Sequence, residues 1–225
     1  MYFKLLKKII GILGYKLVDK DIIKNDRLIS NGTYLNLNSI FDNLFKTNQI
    51  KSIVQVGAND GIRFDVLNKF IKKYSPKTIF VEPIVSNFKN LKKNYIFQKN
   101  VFFENSAISV NNEINHLFKV KESVLHKYDD HVIGITSFDK SHLIKHGIKR
   151  NDIILEKIDS ISINDLLEKY KFKNFDLFFL DTEGYDGLIV SDFINKNNIR
   201  PYIVFEYIHL KTEILKDTLD ILKMN

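Results

Sequence analysis

Five short apolar runs, Ser52–Val56, Thr78–Val81, Val101–Glu104, Phe175–Leu180 and Tyr202–Phe205, recur along the chain and alternate with segments of amphipathic helical pattern. Near-continuous apolar strands that alternate with helices require a parallel sheet covered on both faces. The pattern predicts helices over Asp65–Tyr74 and over Val85–Tyr95, the latter with Lys89, Lys92 and Lys93 on its solvated side. Ser162-Ile-Asn-Asp165 has the form of a capping motif opening a helix over Asp165–Tyr170, and the chain closes with a helix over about Lys211–Lys223. Residues 109–151 break the rhythm. They are too long for a simple connection and predict an insertion carrying a short β-hairpin and loops. There is no internal repeat.

A chain of 225 residues is one generous domain, or one domain plus an extension. Residues 1–50 form an N-terminal helical extension and linker, and 51–225 the main domain. Within the extension, Phe3 to Leu13 make a basic amphipathic helix with Lys4, Lys7 and Lys8, residues 17–33 are polar, and a second helix covers roughly Leu37–Thr47. Two readings of residues 1–14 stay open, a helix packed on the domain edge and a peripheral anchor on the inner face of a membrane. No small-residue cleavage site follows them, so a secretory signal is not expected, and no stretch reaches the ~18 apolar residues of a membrane span. The absence of cysteine excludes disulfides and thiolate metal sites and is compatible with a cytoplasmic location.

In an open α/β sheet, ligands bind at the carboxyl ends of the strands. Here those tips carry Gly57–Gly61, Glu82-Pro83, Asn105-Ser106, Asp181–Gly184 and Glu206-Tyr207. The first is a glycine-bracketed loop, Gly57-Ala-Asn-Asp-Gly61, that lets backbone approach a ligand; Glu82, on the next strand, is placed to accept both hydroxyls of a ribose. A dinucleotide fingerprint would need glycines where Asn59 and Ile62 stand, and a Walker loop would need a Gly-Lys-Ser/Thr that the chain lacks. What remains suits a nucleoside without phosphate, carrying a zwitterionic amino-acid tail. S-adenosylmethionine fits that description.

These segments also resemble a known family. Val56–Gly61, Phe80–Pro83, Asn105–Ile108 and Asp181–Asp186 occur in the order and spacing of the FkbM-type S-adenosylmethionine-dependent methyltransferases. Ile163–Leu167 and Val204–Glu206 are similar to that family too, so the resemblance covers about residues 50–222. It implies a Rossmann-like class I methyltransferase fold and a role in bacterial glycan or secondary metabolism. By the resemblance, Gly57, Ala58, Asn59 and Gly61 hold the methionine portion, Glu82 holds the ribose, and Asn105 and Ser106 flank the adenine. Val56, Pro83 and Asp181 complete the cofactor set. The family usually ends in an antiparallel hairpin; this sequence stops at Asn225 after its last helix, so a five-stranded sheet lacking the C-terminal β-hairpin is expected.

The fourth tip bears on the acceptor. Base-amino methyltransferases typically carry an Asp/Asn-Pro-Pro-aromatic turn there, whereas this chain has Asp181-Thr-Glu-Gly184. A hydroxyl is a poor nucleophile until its proton is removed, and nearby carboxylates or a histidine can remove it. The expected acceptor is therefore a hydroxyl on a small molecule or a glycan, with Asp181, Glu183, Glu206 and His209 as the catalytic candidates. Asp181 and Glu183 could instead cap the following helix, and His209 could be an ordinary surface histidine. The same four residues could gather a divalent cation, but their spacing is not diagnostic, and no metal site is assigned. In the insertion, Thr136–His142 and His146 form either an acceptor lid or a plain loop. The net charge of +7 motivates two rival readings, an RNA methyltransferase, which would need a basic stripe beside the tips, and simple lysine-rich usage. A catalytically inactive cofactor-binding remnant is a third alternative.

Overall fold

The computed structural model describes residues 37–111, 115–129 and 134–224. The chain divides into two compact units, Met1–Ile40 and Phe41–Asn225, and the second contains every feature discussed below. The expected amphipathic helix and polar linker lie outside the described residues. Among the described residues no helix is long and apolar enough to cross a membrane.

The second unit is built on five parallel strands: β1 (Ser52–Val56), β2 (Lys77–Val81), β3 (Val101–Glu104), and, after the insertion, β8 (Leu177–Leu180) and β9 (Tyr202–Phe205). Their order is β3-β2-β1-β8-β9, which puts the reversal of strand order between β1 and β8. That is the switch point at which open α/β sheets form ligand crevices. Apart from Gln55 and Thr78, the buried positions of β1 and β2 are apolar, as strands covered on both sides must be. Helices α1 (Leu37–Lys46), α2 (Asn68–Tyr74), α3 (Val85–Asn94), α5 (Ile163–Lys169), α6 (Asp186–Lys196) and α7 (Thr212–Met224) accompany the strands. On α1, Phe41 and Phe45 are spaced one turn apart and pack on Phe70 of α2. One continuous apolar core runs from Val54 and Ile79 through Phe178 to Ile189 and Phe193 on α6.

Several boundaries differ from the sequence expectation, each for a local reason. The helix expected from Asp65 starts at Asn68, because the Asp65 carboxylate accepts the Leu67 N–H (2.8 Å) in a turn ahead of it. The strand expected from Phe175 starts at Leu177; the Asp176 carboxylate accepts N–H groups from Lys51 and Ser52 (2.8 and 2.9 Å) and ties the start of β1 to β8. Helix α5 begins two residues earlier than expected, with Ser162 as its cap accepting the Asp165 N–H at 3.1 Å. Helix α6 has no counterpart in the sequence reading.

The insertion differs most. In place of a short local hairpin, β5 (His116–Val120) pairs antiparallel with β6 (Ile153–Lys157), which lies far along the chain. Between them lie a 3₁₀ turn, Glu122–Lys127, and helix α4 (Lys140–Lys145). This module has its own apolar centre of Val120, Ile135, Leu143, Ile148 and Ile153. A two-residue parallel pair, β4 (Ala107–Ile108) with β7 (Ser160–Ile161), joins its base to the main domain. Pairing at such separation leaves no local periodicity to read.

Candidate active site

One cavity opens at the carboxyl ends of the sheet, lined from all five strand tips: Gln55–Asn59, Val81–Pro83, Ser106–Ile108, Asp181–Glu183 and Glu206. Thr136 and Phe138 of the insertion add a further wall. The tips therefore form a single site, and part of the Thr136–His142 run lies against it.

The first loop is held by backbone. The N–H groups of Gly57 and Ala58 both donate to the Val81 carbonyl (3.0 and 3.1 Å), and Gly61 N–H donates to the Ala58 carbonyl at 2.9 Å. Gly57 sits at φ +78°, and a Cβ there would fall 1.9 Å from the Asp181 carbonyl oxygen. Glycine is thus required by the crossing of two strand tips as much as by any ligand. Gly61 faces away from the cavity, against Leu91 of α3 and Tyr95 just past its end.

Glu82 is buried beneath this loop. One carboxylate oxygen accepts the Asn59 N–H and the other the Ile84 N–H, each at 2.9 Å. Burial nevertheless pushes its carboxyl up to about 7, since these bonds and a further one from the Asn87 side chain only partly replace water. One lone-pair direction remains, and Glu82 belongs to the cavity lining. Asn105 does not line the cavity. Its amide donates to the Glu82 and Pro83 carbonyls (2.8 and 3.0 Å) and fixes the second tip against the third. Ser106 does line it, with its hydroxyl donating to Glu104.

At the fourth tip the turn is tied by Asp186, the first residue of α6, and no side chain caps that helix. The fully buried Asp186 carboxylate accepts the Thr182 hydroxyl at 2.8 Å and backbone N–H groups of Thr182 and Gly184, which shapes the turn. Asp181 is left facing the cavity, open to its void but ringed by protein. Burial, then the charges of Glu183, Asp186 and Asp65, push its carboxyl up to about 7. Glu206 is pushed up to about 8 by burial and then by Asp181 and Glu183; its Oε2 has no hydrogen-bond partner among the described residues. His209 is partly buried, with Nε2 3.5 Å from a Glu183 oxygen and 3.7 Å from Glu206 Oε2. Burial lowers its pKa from the ordinary histidine value, and the Glu183 charge opposes that shift. The structure thus brings all four acceptor-side candidates together. Groups that change charge near neutrality in a cleft are suited to general acid–base work.

Several lining residues were not anticipated from the sequence, among them Gln55, Phe64 and Asp65. Gln55 Oε1 and Asp65 Oδ2 are buried and have no hydrogen-bond partner among the described residues. An amide in the middle of a strand buried on both faces was the readable signal for Gln55. Asp65 was hidden in a segment read as the start of a helix. Phe64, at φ +58° and 73% exposed, also stands on the lining, and nothing in the local pattern marked it.

Comparison with known proteins agrees with this geometry. A search among curated proteins found no match. Residues 55–224 match the model of the methyltransferase FkbM domain, a span that holds the five tips and the insertion. The chain belongs to the FkbM methyltransferase family.

Proposed function

We propose that the protein is an S-adenosylmethionine-dependent O-methyltransferase acting on a hydroxyl of a sugar, glycan or small metabolite. The observation that carries this reading is the carboxylate-rich cavity at the five strand tips, in which Gln55 and Asp65 interact with each other yet keep acceptor oxygens, Gln55 Oε1 and Asp65 Oδ2, unfilled. Unpaired buried acceptors call for donors, and each left unmet costs about 1–3 kcal/mol. An ammonium and a sulfonium on one ligand suit such a wall; a pyrophosphate does not. When bound, the cofactor supplies an electrophilic methyl group on sulfur.

The residues divide the remaining work. Gln55 and Asp65 accept from the amino-acid tail, and Glu82 offers its remaining lone pair to a ribose hydroxyl. Asp181 receives the proton of the acceptor hydroxyl at a carboxylate oxygen. Its raised pKa makes it an effective acceptor of that proton near neutral pH. Phe138 and Thr136 cover the side of the cavity and exclude water. Among the described residues, Arg63 is the one basic residue on a lining that carries five carboxylates, which supports a neutral acceptor over a polyanion. That balance speaks against the RNA reading.

Calorimetric titration of the full chain tests the proposal. S-adenosylmethionine should bind saturably and at least tenfold more weakly to Glu82→Ala, while NAD should give no heat. With methyl-labelled cofactor and a panel of sugars and polyols, the label should appear in a methoxy environment by NMR. Tight NAD binding without S-adenosylmethionine binding, or label found only on nitrogen, overturns it.

A further inference from the structure

Beside Glu183 of the cavity lining, three histidines converge from distant parts of the chain. His142 lies on α4, and His146, four residues on, follows the last turn of that helix. His209 comes from the turn after β9. Ring centroids are 4.6 Å apart for His142–His146 and for His142–His209, and 5.2 Å for His146–His209. One ring nitrogen from each can be chosen so that all three lie within 4.8 Å of one another. A carboxylate joins them: Glu183 Oε2 is 3.1 Å from His142 Nε2 and 3.5 Å from His209 Nε2.

These spacings have a chemical meaning. Ligand atoms held at ~2.0–2.1 Å around a tetrahedral ion are separated by roughly 3.3 Å. The two Glu183 contacts bracket that value. Asp181, Glu183 and Glu206 all line the cavity beside the histidines, so the neighbourhood is rich in carboxylates. The backbone supports the arrangement at some cost. Glu183 is held at φ +55°, which a non-glycine residue adopts only when its surroundings impose it. The neighbouring Gly184 is at φ +102°, and a Cβ there would come within 3.0 Å of the His209 carbonyl oxygen. Glycine at 184 is what allows the fourth-tip turn to lie against the turn bearing His209.

We propose that His142, His146, His209 and Glu183 form a binding site for a transition-metal ion of the zinc type. Three imidazoles and one carboxylate match the preference of Zn(II) and its neighbours and are poor partners for Mg(II) or Ca(II), which require oxygen-rich sites. Four protein ligands close the site, which is the form of a structural ion. It ties the insertion, through α4, to the tips of β8 and β9, and so fixes the wall containing Thr136 and Phe138 over the cavity. Glu206 Oε2, 3.7 Å from His209 Nε2, stands beside the site as a charge partner. The sequence reading placed a possible cation among Asp181, Glu183, Glu206 and His209; three of these, Glu183, Glu206 and His209, do have ligand atoms within 4.8 Å of one another, and the structure adds His142 and His146 as further partners of His209.

The proposal concerns the same cavity but does not depend on the cofactor assigned above. Untagged, chelator-treated full chain is titrated with ZnCl₂ by calorimetry and with CoCl₂ by visible absorption, before any cofactor is added. One equivalent of Zn(II) should bind, Co(II) should give the strong visible bands of a tetrahedral complex, and MgCl₂ should give no heat. His146→Ala and His209→Ala should each weaken Zn(II) binding at least tenfold, and His126→Ala should leave it unchanged. All three positions are at least partly exposed, and circular dichroism of the metal-free variants shows whether they fold. No Zn(II) uptake, or uptake unchanged in both His146→Ala and His209→Ala, overturns the site. Zinc binding by a chain that ignores S-adenosylmethionine defeats the cofactor reading alone, and the reverse result defeats the metal site alone.

Discussion

Glu82 combines two demands that ordinarily conflict. It is a carboxylate 4% exposed, and it also organises the loop above it through the Asn59 N–H. Its folded pKa of about 7 stands above the ordinary glutamate value, so the folded state prefers the protonated form. The stability this confers is fully present below about pH 4.5 and is lost as pH rises through about 7. Glu82→Gln cannot titrate. Relative to wild type, the variant should therefore gain roughly 3 kcal/mol of stability between pH 4.5 and 7, superimposed on a constant loss from its mispaired amide. Urea denaturation of both proteins at pH 5 and pH 7.5 checks this; a pH-independent difference would show that Glu82 is already ionised in the fold. At this scale the sequence was informative about residue type and weaker on purpose. Gly57, Glu82 and Asp181 were recognisable as tip residues. That Gly61 serves packing on Tyr95 and Leu91 depends on neighbours distant in sequence.

Among the elements, the short ones rely on capping. Helix α5 is only seven residues long and would be marginal alone. Its start is secured by Ser162, whose hydroxyl accepts the Asp165 N–H and donates to the Asp165 carboxylate at 2.6 Å. Its end is secured by Lys169, bonded to Glu104 at 2.7 Å, and by Tyr170, whose hydroxyl donates to the Phe103 carbonyl at 2.8 Å. Ser162→Ala should cost about 1 kcal/mol and lower Tm by roughly 2–4 °C, measured by calorimetric melting. No change would mean that the C-terminal bonds alone hold the helix. The element types were readable because strand apolarity and capping chemistry are local. Helix α6 escaped notice although its apolar positions, Ile189, Val190, Phe193 and Ile194, all face the core. Its start is masked by the Asp181–Gly184 turn, which reads as a loop.

Across the described residues, the main core and the insertion's own centre differ in character, and a smaller cluster of Ile84, Ala107, Leu117 and Ile158 lies outside both. The main core spans the parallel sheet and its helices, and the insertion has a small centre around Leu143. Leu143 is fully buried, so Leu143→Ala should cost about 2–5 kcal/mol. Because the two centres are separate, hydrogen exchange should accelerate in β5, α4 and β6 while the amides of β1 and β8 keep their protection. Equal acceleration in both regions would show one cooperative unit. The sequence by itself determined the parallel sheet, the location of the site at its strand tips, and the family, because strand apolarity, glycine loops and tip carboxylates are written in contiguous residues. Only the tertiary structure decided that β5 pairs with β6 across the insertion and that His142 and His146 reach His209 and Glu183. Those partners are joined by folding over long chain separations, where no periodicity or spacing in the sequence records who will meet whom.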